Sequence, residues 1–96
     1  MSLVFEWDPR KARSNYRKQG ISFVEAASVF RDPLARIFPD EGHSVLECRE
    51  IIVGYSTAKR LLLTCFTEVS PNRVRIISAR RATKAELQDY EENLST

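Results

Sequence analysis

The chain predicts an α+β fold, with N-terminal helices and a C-terminal helix packed on an antiparallel sheet of three to five strands. Three observations predict it. Two stretches near the N-terminus carry helix-start signals, at Asp8-Pro9 and at Ser22–Glu25. A meander of strand-like runs follows, separated only by turns. A last apolar stripe, Leu87, Tyr90 and Leu94, recurs at helical spacing.

Taken in order, Leu3–Trp7 reads as an edge strand or as a cover for the core. Asp8 suits an N-cap and Pro9 the first helical position, so Arg10–Lys18 reads as a helix that turns Ala12 and Tyr16 inward and stops at Gly20. Ser22 and Glu25 have capping-box spacing, and Phe23, Ala26, Ala27 and Phe30 form one face of a short second helix. Asp32-Pro33 ends it, because the residue before proline avoids helical torsions. Leu34–Phe38 alternates as a strand and Pro39–Gly42 is turn chemistry. Val45–Tyr55 is a long strand, Ser56–Lys59 a turn, and Leu61–Thr67 an apolar run expected at the sheet centre. Arg73–Arg81 is the last strand. Thr83 and Glu86 then form another capping box at the start of the closing helix.

At 96 residues the chain makes one domain with one modest core. No apolar run spans a bilayer and no segment at the start reads as a secretion signal, so the expected location is the cytoplasm. Cys48 and Cys65 have no metal-binding spacing and read as buried free thiols. The net charge of +2 hides a segregation. Residues 1–20 carry five Lys/Arg against Glu6 and Asp8, and residues 59–84 carry seven against Glu68 alone. Basic segments of this kind attract a polyanion if the fold brings them together.

The most suggestive stretch is residues 73–86, where a strand bearing Arg73, Arg75, Arg80 and Arg81 runs into a capped helix. Simple alternation puts Val74, Ile76, Ser78 and Arg80 on one side and Arg73, Arg75, Ile77, Ala79 and Arg81 on the other. A strand end that meets a helix N-terminus is a favourable place to hold an anion. The single histidine, His43, precedes Glu47 and Arg49. No metal-ligand cluster or nucleotide-binding loop is present, which leaves acid–base chemistry without a cofactor and with arginines on a phosphate. RNA strand cleavage suits that inventory. Arginine stays protonated at neutral pH and stabilises charge. His43 or Glu47 would move the protons.

Several motifs resemble the BrnT toxin family. They are Phe5-Glu6-Trp7-Asp8-Pro9 with Lys11-Ala12 and Asn15, Lys18-Gln19-Gly20, and Phe23-x-x-Ala26 with Val29-Phe30-x-Asp32-Pro33. His43, Glu47, Arg49, Gly54, Ser56 and Arg60 follow, then Arg75–Arg80, Ala82-Thr83, Glu86 and Tyr90. The resemblance covers about residues 4–91 and implies a RelE-like fold and a bacterial, metal-independent endoribonuclease that arrests translation. It also implies a neighbouring BrnA-type antitoxin with a ribbon-helix-helix part, through which alone the pair would touch operator DNA. A homodimer is left open.

On that resemblance, Arg60 and Arg80 are the expected phosphate ligands, with His43 or Glu47 for proton transfer. Lys18, Arg49, Lys59, Arg75, Ser78 and Arg81 are the expected substrate contacts, and Glu86 is assigned mainly to the cap. Two departures stand out. The family usually has histidine where this chain has Gln19, and glycine where it has Lys59. Gln19 cannot act as a base, which favours a second expectation, an inactive module that binds antitoxin or RNA. A DNA-binding repressor resting on the basic first helix is a third. It is disfavoured because Phe23–Phe30 is too apolar to read base edges.

Overall fold

The computed structural model describes residues 2–40 and 49–94. His43, Glu47, Cys48 and the first part of the expected Val45–Tyr55 strand lie outside the described residues. The elements are β1 (Val4–Glu6), α1 (Pro9–Gln19), α2 (Phe23–Ser28) continuing as a 3₁₀ turn (Val29–Arg31), β2 (Arg36–Pro39), β3 (Arg49–Tyr55), β4 (Leu61–Ser70), β5 (Arg73–Arg81) and α3 (Lys84–Leu94).

The caps set these boundaries. The Asp8 carboxylate accepts the Arg10 N–H at 2.8 Å, and Gly20 ends α1 in the left-handed region at φ 72°. Ser22 accepts the Glu25 N–H at 3.0 Å, but the Glu25 carboxylate turns away to Arg60 and Ser56. That capping box is therefore only half made. The one opening α3 is complete, with Glu86 accepting from Thr83 N–H at 2.9 Å and Thr83 accepting from Glu86 N–H at 3.1 Å. Lys59, at φ 62°, holds the left-handed turn position that a glycine would occupy without strain.

The five strands lie in the order β1-β5-β4-β3-β2, with β4 at the centre as its apolar sequence predicts. β2 to β5 form an antiparallel meander, whereas β1 runs parallel to β5, pairing Val4–Glu6 with Arg73–Arg75. The expected antiparallel sheet is thus mixed. Aromatic packing accompanies it, because β1 in this position sets Phe5 against Phe30, with ring centroids 5.1 Å apart, and Phe30 in turn meets Phe66 at 5.0 Å.

The core lies between the sheet and the α1/α2 layer. Ile21, Phe23 and Val29 meet Ile52, Leu62 and Ile76 there. Gly54 permits the close approach of the chain from Val29 to Ala35, since a Cβ at that position would sit 3.0 Å from Val29 Cγ1 and 2.8 Å from Ala35 Cβ. α3 packs against the opposite face, where the Tyr90 ring meets Tyr55 edge-on and its hydroxyl donates to the Leu34 carbonyl at 2.9 Å. Helices therefore flank both faces of the sheet.

Two local expectations are corrected. Tyr16 points outward, 60% exposed, and Asn15 is the buried residue of α1. The Asn15 amide donates to the Ala79 carbonyl at 2.9 Å and accepts the Ala79 N–H at 3.0 Å. β1 ends opposite Arg75, so this side chain satisfies the β5 edge beyond it. The second correction concerns β5. Phe66 pairs with Ile76 but Cys65 pairs with Ser78, which makes Ile77 an extra residue, a β-bulge. Beyond the bulge the alternation reverses. Ala79, rather than Ser78, follows Val74 and Ile76 into the core, and Ser78 and Arg80 turn to the face away from it.

Candidate active site

The face of the sheet away from the core carries a hollow of about 360 Å³ beside α1. Its floor is Ile51, Leu63 and Cys65; its polar lining includes Arg49, Ser78, Arg80, Asp40, Asn15 and Gln19. Strand register and the seating of α1 bring them there. The bulge brings Ser78 and Arg80 into register with Cys65 and Leu63, respectively. Asn15 anchors α1 at the β5 edge, which leaves Gln19, the last residue of that helix, reaching over the rim. Asp40 N–H donates to the Arg49 carbonyl at 2.9 Å, so the residues on either side of segment 41–48 both stand at this hollow.

Arg80 is held in a bidentate fork. Its two terminal nitrogens reach the two Glu86 carboxylate oxygens at 2.8 Å each. Hydrogen bonding from Arg80, and then from the Thr83 N–H, pulls the Glu86 carboxyl down to about 2 from its ordinary 4.5. The same bond raises the Arg80 guanidinium above its ordinary value. Glu86 thus does two jobs, capping α3 and fixing the guanidinium at the hollow.

Arg60 is not with Arg80. It precedes Leu62, a core residue, and lies on the α2 side of the sheet, where it forms an ion pair with Glu25. Glu25 also accepts from Arg60 Nε at 2.9 Å and from the Ser56 hydroxyl at 2.7 Å, and these bonds lower its pKa. This cluster ties the β3–β4 turn to α2. Arg81 points the same way and acts electrostatically on Glu25. The expectation that Arg60 and Arg80 meet over one surface is therefore overturned by the register of β4 and β5.

The other expected contacts scatter. Lys59 is exposed in its turn. Arg75 bonds Glu6 at 2.9 Å near the start of β5. Lys18 is exposed on α1, adjacent in sequence to Gln19. The hollow thus gathers Arg49, Ser78 and Arg80 of the expected set together with Gln19, the position where the family usually has histidine, and adds Asn15, Asp40 and Cys65, which carried no site role in the sequence. The signal for Asn15 was its i+3 spacing from Ala12 on the inward stripe.

A small α+β domain with a mixed five-stranded sheet and a guanidinium-lined hollow at the end of a basic helix is the class that these features define. The family model described as the ribonuclease toxin, BrnT, of a type II toxin–antitoxin system matches residues 7–86, and the chain belongs to that family. Among solved structures, the crystal structure of the Brucella abortus ribonuclease toxin, BrnT, is similar with a TM-score of 0.64 at 22% identity. The match covers 88% of this chain and 99% of that one, and at that identity the likeness is one of fold. A search of curated proteins returns no match. Among the described residues, no helix is long and apolar enough to cross a membrane.

Proposed function

We propose that this chain cuts RNA at the hollow beside Gln19, without a metal ion. The observation that carries the proposal is that Arg80, Arg49 and Ser78 line one concave site, with Arg80 held in place by Glu86. In the proposed reaction the ribose 2′-oxygen attacks the adjacent phosphorus and the bond to the 5′-oxygen breaks. The 2′-hydroxyl proton leaves to a base and the departing 5′-oxygen gains one from an acid, giving a cyclic phosphate and a free 5′-hydroxyl. Arg80 and Arg49 neutralise the charge that grows on the phosphate, and each well-placed donor contributes about 3 kcal/mol.

His43 and Glu47 remain the proposed proton carriers. They stand three and seven residues after Asp40 in the chain. Gln19 can orient a phosphate or a water by hydrogen bonding but cannot carry the proton. Its place in the hollow favours one alternative, a catalytically weak module of the same fold that binds RNA or antitoxin. Cleavage of an end-labelled RNA by the purified chain in EDTA, abolished by Arg80→Ala, supports the nuclease. Binding without cleavage supports the alternative.

The cellular role proposed with this chemistry is a RelE-like, cytoplasmic arrest of translation, relieved by a BrnA-type ribbon-helix-helix antitoxin that reaches operator DNA on the toxin's behalf. Induction of the chain alone, then with the product of its neighbouring gene, tests it. Arrest that the neighbour relieves is the expected result.

A further inference from the structure

α1 has a second side, turned away from the hollow. Trp7, Ala12, Arg13, Tyr16 and Arg17 line a groove there with α2, about 670 Å³ in volume. Val24 stands at its edge 70% exposed and Tyr16 is 60% exposed. No acidic residue lines the groove. The nearest carboxylates are engaged elsewhere, Glu6 by Arg73 and Arg75, Asp8 by the α1 cap and Glu25 by Arg60. α1 itself carries Arg10, Lys11, Arg13, Arg17 and Lys18 with no acid in the helix. Among the described residues none of these five makes an ion pair, whereas Arg60, Arg73, Arg75 and Arg80 all do.

An aromatic and aliphatic floor with arginines at its rim is the composition of a protein-binding hot spot. An RNA strand calls for successive open rings to stack on, but the Trp7 ring meets Phe23 edge-on and Val24 offers no π surface, which leaves Tyr16 alone among the groove's side chains to take a base. We infer that this groove docks an acidic segment of the protein antitoxin, anchored by an aliphatic or aromatic side chain between Tyr16 and Val24. The inference rests on the family's pairing with a protein antitoxin. Because Gln19 of the same helix stands at the hollow, a segment continuing along α1 reaches the catalytic rim and blocks substrate entry.

The test uses the full chain and the purified product of its adjacent gene as probe. Arg13→Glu/Arg17→Glu weakens binding about 100-fold, and Tyr16→Ala about tenfold. Wild-type affinity falls steeply with salt, and the charge-reversed variant loses that slope. RNA cleavage per folded molecule stays within about twofold of wild type in all of these. Tyr16→Ala, at an outward-facing side chain, keeps the test alive if the double variant fails to fold.

Unchanged affinity in both variants overturns the inference, as does a neighbour that does not bind the wild-type chain. Lost RNA cleavage with intact partner binding assigns the groove to RNA instead. A wild-type dimer that becomes a monomer in the variants, with partner binding intact, assigns it to a second copy. A chain that cuts no RNA yet binds its partner through Arg13 and Arg17 sinks the nuclease proposal and leaves this one standing.

Discussion

Arg60 and Arg80 are each clasped by one glutamate, yet the two clasps are built differently. Glu25 comes from 35 residues away and its side chain is 13% exposed. Glu86 comes from six residues away and its side chain is 35% exposed. The first pair joins α2 to the β3–β4 turn over the core face. The second joins a strand end to the next helix at the lip of a hollow. Pairing therefore does not separate the arginine that ties elements together from the one proposed to act on phosphate. What separates them is the space each guanidinium faces.

The contrast is sharpest in an activity assay. Arg80→Ala should cut the rate of RNA cleavage by about 10²–10³-fold. Its melting temperature should move little, since the Arg80 side chain is 43% exposed. A variant that still cuts at the wild-type rate dissolves the distinction. Glu25→Ala should do the opposite. It removes the acceptor shared by Arg60 and Ser56, so the melting temperature should fall by about 4–8 °C, while cleavage per folded molecule should hold. Loss of cleavage with an unchanged melting curve would return Arg60 to the chemistry.

Two smaller effects refine the hollow. Gln19→His restores a group that titrates near neutrality, and about a tenfold gain in cleavage at pH 7 is expected. A flat response means Gln19 only lines the rim. Glu86→Gln should cost about 0.5–1 kcal/mol at neutral pH through the cap and the weakened fork. The folded Glu86 carboxyl titrates at about 2 against an ordinary 4.5. Its contribution is thus complete above pH 4.5 and fades as pH falls towards 2. Denaturant curves for the two proteins should converge across that window. A gap that persists at low pH would mean the carboxylate charge is not what stabilises.

Local chemistry was legible in the sequence. Asp8, Gly20, Ser22, Thr83 and Glu86 occupy the cap positions their residue types predict, and Leu61–Thr67 lies in the central strand. The site was less legible because its making is not local. One extra residue at Ile77 reverses the parity of everything after it, so correct alternation over Arg73–Ile76 gives the wrong face for Ser78 and Arg80. Glu25 abandons its capping box for a partner 35 residues on, which spacing rules cannot foresee. Tyr16 looked like the inward anchor because it is apolar and helically spaced. The residue actually required was an amide able to answer a strand's backbone.

That amide bears on how the molecule behaves among copies of itself. A bare strand margin invites a neighbour to add its own, the first step of runaway association. Here the margin past β1 is answered at Ala79 by a side chain bonding in both directions, so a would-be intruder finds its donor and acceptor already taken. At Ala79 a single carboxamide, carried in by α1, does what a further strand would otherwise do.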